Sequence, residues 1–227
     1  MREPLFDVSS EYEEMLNQGI RLSGENRHFF LTGRVQYLLS VLPRDFRPKR
    51  ILDYGCGIGD TTSYLAQQFP GAEVVGADEA ENALQHAREQ CGSERVRFEP
   101  VANLDGKPSF HLVYVNGVFH HIAPKDRVAA LELIHHLLVP GGRLALFENN
   151  PWNVGTRMVM RRIPFDRDAI MISPRQAVQL VAAAGFKNRA LVRSLFYFPR
   201  PLASLRRTEG MLAHLPLGAQ YCVLVQK

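Results

Sequence analysis

Ile51-Leu52-Asp53-Tyr54-Gly55-Cys56-Gly57-Ile58-Gly59-Asp60 decides the fold, because it reads as a buried strand ending in a glycine turn. The charged run Arg47-Pro48-Lys49-Arg50 precedes it, so the apolar strand begins abruptly and runs into three glycines at alternate positions. Glycine lets a backbone turn tightly and approach a ligand closely, at φ values that other residues avoid. Asp60, Thr61 and Thr62 supply N-cap chemistry for a helix through about Phe69, stopped by Pro70-Gly71. The free N–H groups of that helix start face whatever sits above the turn. A dinucleotide site would want G-x-G-x-x-G, with the helix receiving a pyrophosphate. The spacing here is G-x-G-x-G, and Asp53 two positions before the first glycine would repel a phosphate but could hold an ammonium group.

The next strand of such a unit ends about 20 residues past the glycines. Glu73-Val74-Val75-Gly76-Ala77-Asp78 occupies that place, and Asp78 can accept both hydroxyls of a ribose. An amine held near Asp53 and a ribose held at Asp78 describe S-adenosylmethionine. At these residues the sequence resembles the class I S-adenosylmethionine-dependent methyltransferases, whose first motif is an acidic residue followed by G-x-G-x-G and whose second is an acidic residue ending strand two. The resemblance continues at Phe110 to Ile122, similar to the family's fourth strand and following turn, and at Leu137 to Glu148, similar to its fifth strand. Four motifs in order cover residues 51 to 148. The resemblance implies cofactor contacts from Asp53, Gly55, Gly57, Gly59, Asp78, its neighbour Glu79, and Asn116 after strand four. The family usually sets an acidic residue against the adenine amino group after strand three. The aligned positions here are Ala102 and Asn103, and the role passes to Asn103, whose side-chain oxygen can accept an amino hydrogen.

From Ile51 the pattern alternates: strand 51–54, helix 61–69, strand 73–77, helix 80–91 and strand 95–99. Alternation at this length predicts βαβ units and a parallel sheet. Strand four is expected at 111–115, a helix at 124–138 and strand five at 143–148. Ser173-Pro174 caps a further helix, which Gly185 ends. Arg189 to Phe198, a helix from about Leu202 to His214, and Gln220 to Val225 close the chain, and the resemblance implies that the last strand enters the sheet antiparallel. The expected fold is therefore α/β: a Rossmann-like, mostly parallel seven-stranded sheet with helices on both faces. Two helices precede it, over 9–22 and 25–42; in the second, Phe30, Arg34, Tyr37 and Val41 share a face at helical spacing. We expect a single domain over 1–227, with an N-terminal helical cap (1–45), a cofactor-binding half (46–150) and a substrate-side cap with the terminal strands (151–227).

Composition narrows the class of function. Hydrophobic residues make up 46% of 227 and are spread evenly, which argues for a globular chain. The N-terminus lacks the apolar region of a secretory signal and no run reaches bilayer length, so the expected location is cytoplasmic. Cys56, Cys91 and Cys222 form no C-x-x-C pair, and His135 and His136 are adjacent rather than i, i+4, so no metal site is expected. A net charge of +4 favours acidic partners without requiring nucleic acid, and no aromatic-basic platform for nucleic acid is evident.

Methyl transfer from a sulfonium is an in-line displacement, so an enzyme mainly aligns nucleophile and methyl and excludes water. Ligand sites in open α/β sheets lie at the carboxyl ends of the strands. The loops after strands four and five hold His120 and Glu148, the candidate catalytic groups, because histidine titrates near neutral pH and a base helps a protonated nucleophile. Packing at the loop is the competing account of His120 and His121. Tyr12, Arg34, Tyr37, His121 and Asn150 are the candidate substrate contacts. Asn150-Pro151 is not the D/N-P-P-Y motif of nucleobase amino methyltransferases, which belongs after strand four. The expected activity is S-adenosylmethionine-dependent methylation of a small-molecule acceptor at oxygen. The alternatives are a non-catalytic S-adenosylmethionine-binding protein and a methyltransferase for a lipid-like or phosphorylated acceptor. A nicotinamide-dependent dehydrogenase is disfavoured by Asp53 and the glycine spacing. Arginines interleaved with apolar residues over 156–165 and 196–207 would suit an amphiphile with an acidic head, or a membrane surface.

Overall fold

Strands buried on both faces read as near-continuous apolar runs, and such runs separated by helices fold as βαβ units. The computed structural model describes residues 19, 23–104, 106–163 and 169–227 and has that architecture. In chain order the elements are α1 (Arg27–Val41), β1 (Arg50–Tyr54), α2 (Asp60–Gln68), β2 (Glu73–Asp78), α3 (Glu81–Cys91), β3 (Val96–Pro100), β4 (Phe110–Asn116), α4 (Arg127–Leu137), β5 (Leu138–Asn149), α5 (Val154–Met160), α6 (Pro174–Ala183), β6 (Leu191–Leu195), α7 (Glu209–Leu212) and β7 (Gln220–Gln226). Short 3₁₀ segments lie at Val101–Asn103 and Arg200–Thr208. The sheet order is β3-β2-β1-β4-β5-β7-β6, parallel from β3 through β5, with β7 antiparallel to both neighbours. This is the seven-stranded sheet that the sequence predicts.

Alternation along each strand splits the core in two. Leu52, Val113, Leu146, Tyr221 and Val223 pack with α4 and α6 on one face. Ile51, Leu112, Tyr114, Phe147 and Cys222 pack with α1, α2 and α3 on the other. Phe147 and Glu148 are consecutive on β5 and therefore face opposite sides, which sends Glu148 toward α4.

Several local expectations are corrected. Helix α1 starts at Arg27 because Asn26 caps it, accepting from Phe29 N at 2.9 Å. Its buried residues are Leu31, Arg34, Val35 and Leu38, so of the expected stripe only Arg34 is buried, while Tyr37 and Val41 are half-buried against the core. The N-cap of α2 is Gly59, left-handed and without a side-chain bond. Asp60 pairs instead with Arg27 at 2.5 Å, and Thr62 donates to Asp53 at 2.7 Å. Helix α4 begins three residues after Pro124, and β5 starts at Leu138 with a register irregularity against β4 between Phe110 and Leu112. The helix expected over 202–214 is a 3₁₀ run with a kink at Leu202, followed by the one-turn α7. Ser173 and Gln176 form a full capping box at α6. The helix expected over 9–22 lies outside the described residues, apart from residue 19.

The glycine turn generates a stability test. Gly59 (φ +89) has no room for a Cβ, which would lie 2.8 Å from the Phe98 ring and 3.0 Å from Ala87 Cβ. At Gly57 (φ +54) a Cβ would meet nothing within 4 Å. Both alanine variants carry left-handed strain of about 1–2 kcal/mol, and only Gly59→Ala adds overlap. Urea unfolding should show Gly59→Ala losing distinctly more stability than Gly57→Ala.

Candidate active site

The glycine turn forms the floor of the site. Gly55, Gly57 and Gly59 have φ of 77°, 54° and 89°. Two consecutive N–H groups, of Gly55 and Cys56, donate to Ala77 O at 2.7 and 3.1 Å, which folds the turn back onto β2. Gly57 N then donates to one oxygen of Asp78 at 2.8 Å, and Ala80 N donates to the other at 3.0 Å. A carboxylate has about four lone-pair sites, so Asp78 braces the turn and retains acceptor capacity.

Above this floor lies a cavity of about 620 Å³, within the range of small-ligand sites. Asp53, Gly57 and Asn116 contribute from strand ends and the turn; Phe29, Phe30 and Arg34 from α1; His120 and His121 from the loop after β4. Met158, Val159, Met160 and Ile163 from α5 and the residues after it, together with Phe196 and Gln220, complete the walls. The Phe196 ring lies 5.0 Å from Phe30 and 5.7 Å from Phe29. Its backbone has φ 61°.

Two polar groups in this wall are incompletely matched. Arg34 is 7% exposed; Nε donates to Tyr114 Oη at 3.2 Å and Nη1 to Gln220 Oε1 at 3.1 Å, both neutral acceptors. Gln220 in turn donates to Asn149 Oδ1 at 3.0 Å, which fixes its amide orientation. Among the described residues no carboxylate pairs with the Arg34 guanidinium. Asn116 Oδ1 is buried and accepts no hydrogen bond from the described residues. A buried charge or acceptor of this kind is costly until a partner arrives. Asp53, 2% exposed, lies near both Arg34 and Asp78. Burial pushes its carboxyl up from 3.8 to about 7, and Asp78 adds to the rise, while the Thr62 hydroxyl and Arg34 oppose it.

On the opposite face of the sheet His120, 4% exposed, sets Nδ1 2.6 Å from Glu148 Oε2. The other Glu148 oxygen accepts from Phe119 N at 2.7 Å, and the carboxyl is 1% exposed. In the tautomer with the proton on Nδ1, the histidine donates to this carboxylate and Nε2 is the basic nitrogen. Arg127 lies behind the pair, held by the carbonyls of Ile122 (2.9 Å) and Ile170 (2.7 Å), and Tyr221 Oη donates to Ile172 O at 2.7 Å. Ile170 N donates to His120 O at 3.0 Å, fastening the histidine loop.

Of the residues singled out from sequence, Asp53, Gly55, Gly57, Asn116, His120, His121 and Arg34 line the cavity, while Gly59, the N-cap of α2, and Asp78 stand off its wall. Glu148 stands behind His120 and off the cavity wall, with one oxygen at His120 Nδ1 and the other accepting from Phe119 N. Asn150 is fully buried and structural: its amide donates to Pro216 O and Gly218 O, and its oxygen accepts from Trp152 N. Tyr37 packs against the core and does not line the cavity. Glu79 and Asn103 are exposed and also lie off its wall. Tyr12 lies outside the described residues. Burial raises the Cys56 thiol well above its usual range, reinforced by Asp53 and Asp78, which suits packing rather than nucleophilic use. Sequence reasoning missed Tyr114, Asn149 and Gln220, which orient Arg34 directly or in relay; they are joined only by strand pairing.

Residues 52–144 match the family model of a methyltransferase domain. A demethylmenaquinone methyltransferase of Thermus thermophilus is 37% identical over 184 residues, 78% of this chain and 78% of that protein. The chain belongs to the S-adenosylmethionine-dependent methyltransferase family. A trans-aconitate 2-methyltransferase of Methylobacterium nodulans is 30% identical over 146 residues, covering 63% of this chain and 52% of that protein. An uncharacterised Synechococcus protein is 37% identical over 127 residues, 28% of its length, so the chain spans about a quarter to a half of these two relatives. The fold of an S-adenosylmethionine-dependent methyltransferase from Thermotoga maritima superposes with a TM-score of 0.68 at 18% identity, over 98% of this chain and 97% of that one. S-adenosylmethionine is the family's cofactor.

The raised Asp53 carboxyl predicts a pH dependence. Between about pH 4 and 7 the folded state holds a proton that the unfolded chain has released, so Asp53 makes stability fall as pH rises through that window. Subtracting the Asp53→Asn unfolding profile from that of the parent chain should leave a difference that declines from pH 4 to 7 and is flat above.

Proposed function

We propose that this chain transfers the methyl group of S-adenosylmethionine to an oxygen of a small-molecule acceptor. The observation that carries the cofactor half is the mismatch in the wall among the described residues: a buried guanidinium that hydrogen-bonds only neutral acceptors and a buried amide oxygen with no donor, beside Asp53. An amino-acid zwitterion completes both. Arg34 would hold the methionine carboxylate, Asn116 and Asp53 the ammonium, and Asp78 the ribose hydroxyls. Open space at the Gly57 Cβ position leaves room for close approach to the turn. Glu79 and Asn103 would act at the outer, adenine end.

Held by these residues, S-adenosylmethionine would supply an electrophilic methyl to the acceptor oxygen, its sulfur leaving with the bonding pair. His120 takes the acceptor's hydroxyl proton at Nε2. Glu148 keeps the ring oriented and stabilises its charged form, and His121 and the aromatic wall contact the acceptor. A base oriented by a buried carboxylate favours a protonated oxygen nucleophile, and a non-catalytic binder would have no use for it. Relatives named for trans-aconitate and demethylmenaquinone support a small-molecule acceptor.

Two sets of variants test the reading. Arg34→Gln should weaken S-adenosylmethionine and its demethylated product by about 1.5–3 kcal/mol in calorimetric titration. It should leave 5′-methylthioadenosine, which lacks the amino acid, nearly unchanged. Asp78→Ala should weaken all three. Equal losses for all three ligands in Arg34→Gln would remove the carboxylate role. For the chemistry, His120→Ala should lower turnover by about 10²–10⁴ with little change in cofactor affinity, and Glu148→Gln should lower it in the same direction. Turnover within a few-fold of the parent chain would leave His120 a packing role.

A further inference from the structure

Large apolar side chains are exposed in a cluster around the cavity mouth. Val154 and Met158 lie one turn apart on α5 and are 60% and 46% exposed. Trp152 and Leu217 adjoin them: Asn153, between Trp152 and Val154, donates to Leu217 O at 2.8 Å. Gly155 and Met158 also line the cavity, so this apolar stripe runs to its rim. A second segment repeats the pattern. Phe198 and Pro199 line the wall, and the chain then leaves through the 3₁₀ run that exposes Leu202 and Leu205.

The charge closest in sequence to these side chains is mainly positive. Arg157, Arg161 and Arg162 are exposed on and after α5, and Arg175 stacks 6.0 Å over Trp152. No acidic residue occurs from Asn149 through Ile163, from Pro199 through Thr208, or from Gly210 through Gly218; Glu209 separates the last two stretches, and Asp166 and Asp168 follow the first. Arg206 is excluded from this count because it pairs with Glu25 at 2.7 Å. Arginines interleaved with aliphatic side chains and a tryptophan form the pattern that seats a protein at a headgroup boundary, with apolar groups in the acyl region and cations on anionic lipid. A patch of this kind on an otherwise ordinary surface marks an interaction site.

We propose that the rim formed by α5, the 215–217 turn and the 3₁₀ run docks on an anionic lipid bilayer, and that the acceptor enters the cavity from that surface. The second half rests on the reading of the cavity as an acceptor site; the docking does not. The apolar inner wall, Phe29, Phe30, Ile163 and Phe196, suits a molecule that partitions into lipid. A mouth held against the bilayer lets it pass without crossing water.

Co-sedimentation with vesicles of mixed phosphatidylglycerol and phosphatidylcholine, against phosphatidylcholine alone, measures the docking. At low salt the protein should bind the anionic vesicles and not the neutral ones, and added salt should weaken binding. Each arginine near the surface is worth about fivefold, so R157E/R161E should lower anionic-vesicle binding by more than tenfold. V154S/L217S should lower it as well. Both variants should keep calorimetric affinity for S-adenosylmethionine, which shows that they are folded. Negligible binding to both vesicle types would overturn the proposal, as would parental binding in both variants. A lipid-free dimer abolished by the same substitutions would overturn it in favour of a second copy of the chain. Vesicle binding without cofactor binding would instead overturn the methyltransferase reading and leave the docking intact.

Discussion

The site depends on one backbone constraint: Ala77 O receives two consecutive N–H groups, from Gly55 and Cys56. That bifurcated grip folds the chain back onto β2 as soon as β1 ends, and it exists only because β1 and β2 pair with Tyr54 opposite Ala77. Three left-handed glycines absorb the reversal, where side-chain-bearing residues would each cost about 1–2 kcal/mol. Asp78, next after Ala77, then receives Gly57 N. The register of two parallel strands therefore sets the floor of the cavity and the position of Asp53, two residues before Gly55.

Above that floor the period of two along the strands divides the polar machinery between faces. Asp53, Arg34 and Tyr114 gather on the α1 side, while Glu148, His120, Arg127 and Tyr221 gather toward α4 and α6. The two groups are differently poised. Glu148 has both oxygens engaged and His120 held, so that side is complete and rigid. On the other side, burial has raised Asp53, and among the described residues Arg34 hydrogen-bonds only neutral acceptors and Asn116 Oδ1 has no donor. In a low-dielectric wall such groups strengthen any complementary charge that reaches them. On one side the described polar groups satisfy one another, and on the other they leave bonding capacity open.

The extent to which this was legible in the sequence follows sequence distance. The glycine turn, Asp53 and Asp78 lie within one βαβ unit, where short-range pattern and turn chemistry determine geometry, and they fell where the spacing predicted. His120 and Glu148 were found individually, but their pairing was not, since it requires β4 and β5 to be neighbours. Gln220 was invisible because it reaches Arg34 only through the antiparallel pairing of β7 with β5. Asn150 was misread as a ligand contact. A polar residue after a strand can serve substrate or backbone, and here the carbonyls of Pro216 and Gly218 claim its amide. Tyr37 was misassigned because Phe30 and Arg34 reach the cavity while the row through Leu31, Val35 and Leu38 faces the core, which rotates Tyr37 off the wall.

The aromatic wall of the cavity has its own constraint, at Phe196. A left-handed φ of 61° on a phenylalanine costs on the order of 1–3 kcal/mol, and it persists only if the surroundings compensate. The ring packs against Phe29 and Phe30, and it fits because Gly33 leaves space: a Cβ there would lie 2.7 Å from the ring. Ala219 N also donates to Phe196 O at 3.0 Å. Arg206 adds a second tie, stacking 4.4 Å over Phe29 while pairing with Glu25. The start of α1 is thus fastened to the segment between β6 and β7, and the cavity is closed on that side by apolar rings instead of water. Excluding water there makes the charges around Arg34 and Asp53 effective at a distance. The strain at Phe196 and the electrostatics of the cofactor end are therefore two parts of one arrangement, joined through α1.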